Sequence, residues 1–315
     1  MKLCFRTRDV GTANDYPAIG WMPPLPSGAD RLWRRFGSFG NAESPQMVVS
    51  QKGGQWQLYL EGIDSGRTDA ATGQGGRTIR MSLYLTGTTA EGESVLGFLS
   101  AYVRGALAVG GGDVSSLRDA FVQSIQPGEP RKWKDGGESV QSAAAEAVLK
   151  KLQEIRASSV AADADVGWCG GRNRDNLEKF IGSCRSLLTG VASGAAVCLP
   201  YCRLSDLREL QGLLNGEPLV AALSGDSGEQ MQPARKIPAA GSGGGAAFGP
   251  AAERPNVGGD GKKRPKTFFL IALALVSGVL LIKCCSNTGK RPTQKVSKQY
   301  ESGANAVHQS SGNRK

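Results

Sequence analysis

Apolar and polar residues alternate along the first part of the chain with a period of two. Trp56, Leu58 and Leu60 alternate with Gln57 and Tyr59, and Ile79, Met81, Leu83 and Leu85 alternate with Arg80, Ser82, Tyr84 and Thr86. Successive side chains leave a strand on opposite sides, so this period predicts strands with one buried face and one wet face. "MVVS", then Lys52-Gly53-Gly54, then "QWQLYL" predicts a hairpin over a glycine turn.

Beyond residue 90 the period changes to that of a helix. Val95, Leu96, Phe98, Leu99, Tyr102, Val103 and Ala106 recur at helical spacing, and Asp113 or Ser115 is placed to cap a helix running to about Ile125. The clearest helix covers 138–157: Val140, Ala144, Val148, Leu152 and Ile155 form one stripe, with Glu146 four residues before Lys150. A further helix is expected from Asp175 to Leu188, a strand at "AAVCLP", and a last helix from Ser205 or Asp206 to Leu214. Antiparallel strands followed by helices predict an α+β domain over 1–225.

The pattern then breaks twice. Residues 226–266 are rich in Gly, Ala and Pro and short of large apolar side chains, a composition that cannot offset its own ordering entropy and predicts a disordered linker. Next, Phe268 to Ile282 hold no charge, and Ser277 is their only polar residue. Fifteen helical residues span roughly 22 Å, and Thr267, Cys284 and Cys285 lengthen the apolar run toward the ~30 Å of a bilayer core. Lys266 and Lys283 can snorkel at its two ends. One transmembrane helix is therefore expected over 267–285, followed by a polar, basic tail over 286–315.

Charge sharpens this division. The chain carries +10 overall, yet residues 1–225 hold 24 basic against 23 acidic side chains and residues 226–315 hold 14 against 5. The excess sits beside the span, where Lys262, Lys263, Arg264, Lys266 and Lys283 suit anionic lipid headgroups. Membrane lipids are thus expected partners and nucleic acid is not. The two flanks of the span carry equal numbers of cations, so the positive-inside rule does not choose an orientation. "MKLCFRTRDVGTANDYPAIGW" has no apolar h-region, which places the large domain in the cytosol.

Candidate chemistry is thin. The single histidine is His308, in the tail, which removes histidine-dependent hydrolysis and histidine-ligated metal from the 1–225 domain. GDSGE, Gly225 to Glu229, resembles the GDSGG stretch around the nucleophile of trypsin-like serine proteases. No histidine precedes Ser227, and the stretch reads as loop. Cys169, Cys184, Cys198 and Cys202 include one close pair, whereas a four-thiolate zinc site shows two. They read as buried free thiols, and Cys284 and Cys285 as apolar filler or acylation sites at the membrane edge. Asp163 and Asp165 form Asp-x-Asp, a spacing common by chance. Gly110-Gly111-Gly112 reads as a helix-to-helix connection, and Trp133 among Arg131, Lys132 and Lys134 as a surface loop with one packed ring. The richest candidate is the loop "SGRTDAATGQGGRTIR": Arg67, Arg77 and Arg80 flank glycines and offer forked donors to an anionic ligand.

No catalytic residue, cofactor or metal is assigned on this basis. The function expected is that of a membrane-tethered cytosolic interaction module: an adaptor, sensor or effector with a protein partner in a membrane assembly, for which a bacterial stress or defence system is one setting. The alternatives are an effector that perturbs membranes through its span, or a histidine-independent enzyme using carboxylates.

Overall fold

The computed structural model describes residues 1–7, 20–29, 35–41, 43–69, 76–126, 129–156, 161–163 and 165–238. All of them belong to a unit covering Met1–Ala251; a second unit, Ala252–Lys315, and with it the expected span, lies outside the described residues.

The protein is α+β. Eight strands form one mixed sheet: β1 (Lys2–Arg6), β2 (Gln46–Lys52), β3 (Gln55–Asp69), β4 (Arg77–Thr88), β5 (Trp168–Gly170), β6 (Gly194–Cys198), β7 (Leu219–Leu223) and β8 (Arg235–Lys236), in the order β1-β4-β3-β2-β6-β7-β5-β8. The helices are α1 (Leu96–Gly105), α2 (Ser115–Ser124), α3 (Glu129–Asp135), α4 (Gly137–Gln153), α5 (Arg174–Leu188) and α6 (Leu207–Leu213).

The expected hairpin is β2–β3. Gly53 and Gly54 both have positive φ, 59° and 78°, the turn whose twist matches that of the flanking strands. β3 then pairs with β4 along most of its length, with irregularities between Leu60 and Ile63 and between Asp64 and Thr68 that add residues to β3 alone. Gly62 sits in the first of these with φ 67°; a Cβ there would lie 2.3 Å from the backbone carbon of Ser44.

The sheet departs from a purely antiparallel arrangement. β5, β7 and β6 run parallel, and β8 closes the edge antiparallel to β5. The run Leu219–Leu223 is buried at every position, so it carries no alternation to read. The parallel strands are joined as β5-α5-β6-α6-β7, with α5 packed in the core on one face of the sheet and α6 in the core on the other.

The face expected to be wet is largely covered: Tyr59, Ser82 and Tyr84 are buried, and Gln57, Arg80 and Thr86 are half-buried. Met47, Leu58, Leu60, Leu83 and Leu85 face a core roofed by α1, α2, α4 and α5. On the reverse face Val48, Tyr59, Tyr84 and Val197 are also buried, beneath Trp21, Leu25, Phe36, Phe39 and α6. Tyr59, Ser82 and Tyr84 therefore point into a second core layer, where the tyrosine rings supply apolar area and the Tyr59 and Ser82 hydroxyls donate to Glu61.

Helix ends are mostly local. Asn173 caps α5, its side chain accepting from the Asn176 amide at 2.9 Å, and the Asp113 carboxylate accepts from the Ser115 amide at the start of α2. A 3-10 turn over Thr89–Val95 leads into α1 from a capping box between Thr88 and Glu91. α4 ends at Gln153, four residues short of the sequence expectation; Ile155 packs against the core from beyond it. Gly110 and Gly111, both at φ 78°, make the connection between α1 and α2. Trp133 lies on α3 rather than in a loop and meets the edge of the Phe5 ring at 5.7 Å.

The folded chain also continues past residue 225. Asn173 and Asn176 donate to the carbonyl of Gln232, and β8 pairs with β5 at Trp168 and Cys169. Residues 226–238, which composition assigns to the linker, are held on the sheet edge by hydrogen bonds that need little apolar area.

Candidate functional site

The three arginines of the expected anion loop have separate structural tasks. Arg67 is 7 % exposed and donates to the Thr7 hydroxyl, tying β3 to β1. Arg80 donates to the carbonyl of Gly62 at 3.0 Å, across the bulge. Arg77 pairs with Glu43 at 3.0 Å on the surface. Arg77 and Arg80 stand three apart on a regular strand, so their side chains leave opposite faces. The loop between β3 and β4, residues 70–75, lies outside the described residues, as do Lys262, Lys263, Arg264, Lys266 and Lys283.

Asp163 and Asp165 do not converge. Asp163 accepts from the Asp165 amide, while Asp165 pairs with Lys179 at 2.9 Å, which holds its carboxyl below the usual range. Among the described residues no group of three potential metal ligands occurs. The five cysteines of the folded unit, Cys4, Cys169, Cys184, Cys198 and Cys202, are buried free thiols. Burial pushes Cys4 and Cys198 up to about 11 and Cys202 up to about 12, away from the thiolate form that nucleophiles and zinc ligands need. An aromatic-disulfide exchange reagent added to the native full chain in detergent should therefore read at most Cys284 and Cys285, and five more thiols after guanidinium unfolding. Rapid native labelling of Cys202 would contradict this burial.

The deepest polar group went unmarked by the sequence pattern. Glu61 on β3 is fully buried. Its carboxylate pairs with Arg6 at 2.7 Å and accepts from Tyr59, Gln46 and, at 3.2 Å, Ser82. Tyr102 on α1 reaches through the same layer, donating toward the carbonyls of Glu61 and Gln46 at 2.6 and 2.9 Å. Arg6 also stacks on Trp21, 5.4 Å from its ring centroid. Burial raises Glu61 above the ordinary carboxyl value, outweighing the donors and Arg6. Every partner is internal, so this network fastens β1, β2, β3, β4 and α1 together and leaves no acid or base facing a cleft.

The carboxyl ends of the parallel strands are where open α/β sheets place ligands. Here the loops after β5, β6 and β7 fill that edge themselves. Ser224 and Gly225 amides bond to the carbonyls of Gly170 and Cys202 at 2.9 and 2.7 Å. GDSGE forms a strap across them: Asp226 accepts from the Gly228 amide and pairs with Arg203, and the Glu229 carboxylate accepts from the Ser224 hydroxyl and the Leu204 amide at 2.7 and 2.8 Å. Ser227 stands in a 3-10 turn of that strap, with its neighbours committed to holding loops together.

Space remains beside the strap. A groove of about 750 Å³ lies between the end of α1 and the start of α5, lined by Arg104, Ala108, Val109, Arg172, Asn173, Arg174, Leu177, Glu178 and Met231. Arg104 grips Glu178 with two bonds, 2.6 and 2.7 Å. Among the described residues Arg172 and Arg174 make no salt bridge within 4.0 Å, although Arg174 helps lower the Glu178 carboxyl, and Met231 is 83 % exposed. Composition hid this site, since Met231 lies in the stretch read as linker; the nearest signal was Asn173-x-x-Asn176, a cap that marks a helix N-terminus.

Comparison with protein-family models, with curated proteins and with solved structures returned no match.

Proposed function

We propose that this chain is a membrane-tethered interaction module, an adaptor, sensor or effector whose folded unit is held at a bilayer by one helix over 267–285. The observation that carries the reading is the charge-free run from Phe268 to Ile282 between basic flanks, which follows a unit whose sheet edge is closed by its own strand β8. Among the described residues no helix is long and apolar enough to cross a membrane. The polar networks support binding over chemistry, because each carboxylate singled out above is tied to partners within the protein. Five free buried thiols suit the reducing side of the membrane.

The test is extraction. The full chain should sediment with membranes and resist carbonate and high salt, and a variant lacking 267–285 should remain in the supernatant. Release of the full chain by carbonate would overturn the tether.

A further inference from the structure

We propose that the groove between α1 and α5 docks an acidic peptide segment of a partner protein, with an apolar anchor against Met231 and Val109 and carboxylates against Arg172 and Arg174. The proposal builds on the interaction-module reading and names the chemistry of its partner.

Charge gives the first argument. Three arginines line the groove against one glutamate, and that glutamate is already neutralised by Arg104. Arg174, one turn ahead of Glu178, also draws that carboxyl down, and three cations against one anion leave the groove an excess of positive charge for a partner. Arg172 is aimed by its own fold: its Nη2 donates to the Gly225 carbonyl at 3.3 Å, and its Nε is enclosed without a hydrogen-bond partner. Arg174 is the exposed first residue of α5, at the positive end of a 15-residue helix. Asp175, in the same first turn, does not line the groove.

The apolar surface gives the second. Met231 at 83 % and Val109 at 45 % are two of the seven large hydrophobics exposed among the described residues, and both border this groove. Ala108 and buried Leu177 line the same groove. A site for a small molecule encloses most of its ligand; a methionine this open is a rim on which a flexible thioether can fit a partner's side chain. Forked guanidinium donors beside an apolar strip match a segment that alternates carboxylates with leucine-like residues.

Fluorescence anisotropy on the full chain in detergent micelles, with a micelle-only blank, tests this with three labelled peptides: a Glu/Leu amphipathic sequence, its Lys/Leu counterpart and a Glu/Ser counterpart. The Glu/Leu peptide should bind, and the other two should bind roughly tenfold more weakly or worse. Arg174→Glu and Met231→Ser should each weaken the Glu/Leu peptide by about tenfold. Both residues are exposed, and at the start of α5 the favourable helix dipole offsets the repulsion that a glutamate at 174 meets from Glu178, so the thermal midpoint should hold while binding falls. Equal binding of the Lys/Leu peptide, or of either variant, overturns the proposal. So does complete displacement by inorganic phosphate, which would mark a small-anion site, or self-association abolished by Met231→Ser, which would mark a contact between copies of this chain. The variants should still sediment with membranes, so failure here leaves the tether standing and failure of the tether leaves the groove to be judged on binding alone.

Discussion

Glu61→Ala is expected to destabilise the folded unit by about 3–5 kcal/mol, the cost of stripping a buried ion pair of one partner. The change leaves the Arg6 guanidinium, the Tyr59 hydroxyl, the Gln46 amide and the Ser82 hydroxyl facing an apolar cavity between the sheet and the segment around Trp21. A urea titration of the full chain in detergent, followed by tryptophan fluorescence, reads the loss as a lower midpoint. Glu61→Gln keeps the shape and should cost less. The pair also separates a pH effect. Burial lifts the Glu61 carboxyl above its ordinary 4.5, so the folded state holds that proton more tightly than the unfolded chain does. Its contribution is then complete below pH 4.5 and is lost as pH rises through the folded value. Glu61→Gln should flatten that slope. A parent whose stability does not fall from pH 4.5 upward would show the carboxyl is held ionised by Arg6 throughout.

Gly171→Val is expected to detach the strap and β8 at a cost of about 2–4 kcal/mol, combining overpacking with the lost hydrogen bonds. A Cβ at Gly171 would stand 1.7 Å from the carbonyl oxygen of Glu229 and 2.6 Å from the Gln230 carbonyl carbon, both backbone atoms that no rotamer change can move. Pushing this backbone away breaks the bond from the Gly171 amide to the Gln232 carbonyl and draws the Glu229 carboxylate off the Ser224 hydroxyl. β8 pairs with β5 at only two positions and would follow. Trypsin should then cut the variant early at Arg235 or Lys236, while the parent is cut first farther along, at Lys262 or Lys263. A parent cut first at Arg235 would mean that the strap is not held on the sheet.

Both changes lie where local pattern carried least information. The hairpin at Gly53-Gly54, the helix expected from Asp175 to Leu188, and the change from a period of two to a helical period near residue 90 follow from near-neighbour physics, and were legible. Turn glycines, caps and amphipathic stripes act within a few residues. The charge-free run over 268–282 and the basic excess beside it are likewise properties of composition alone, and the tether rests on them.

What only the tertiary structure decided depends on partners far away in the chain. Alternation in β3 and β4 states that the two faces differ; it does not state that the polar face is wet. Trp21, Leu25, Ala29, Phe36, Phe39 and α6 cover that face, so Glu61 became a buried carboxylate whose partners come from residues 6, 46, 59 and 82. β7, buried at all five positions, shows no period because neither of its faces meets water. Arg67, Arg77 and Arg80 shared a loop in sequence, yet strand pleating and the bulges of β3 sent them to different neighbours. The groove at Met231 exists because hydrogen bonds along a sheet edge hold a stretch whose composition gave no reason to order. Spacing along the chain determined the hairpin, the main helices and the run on which the proposed anchor rests, whereas burial, which sums over contacts distant in sequence, decided which polar residues are structural.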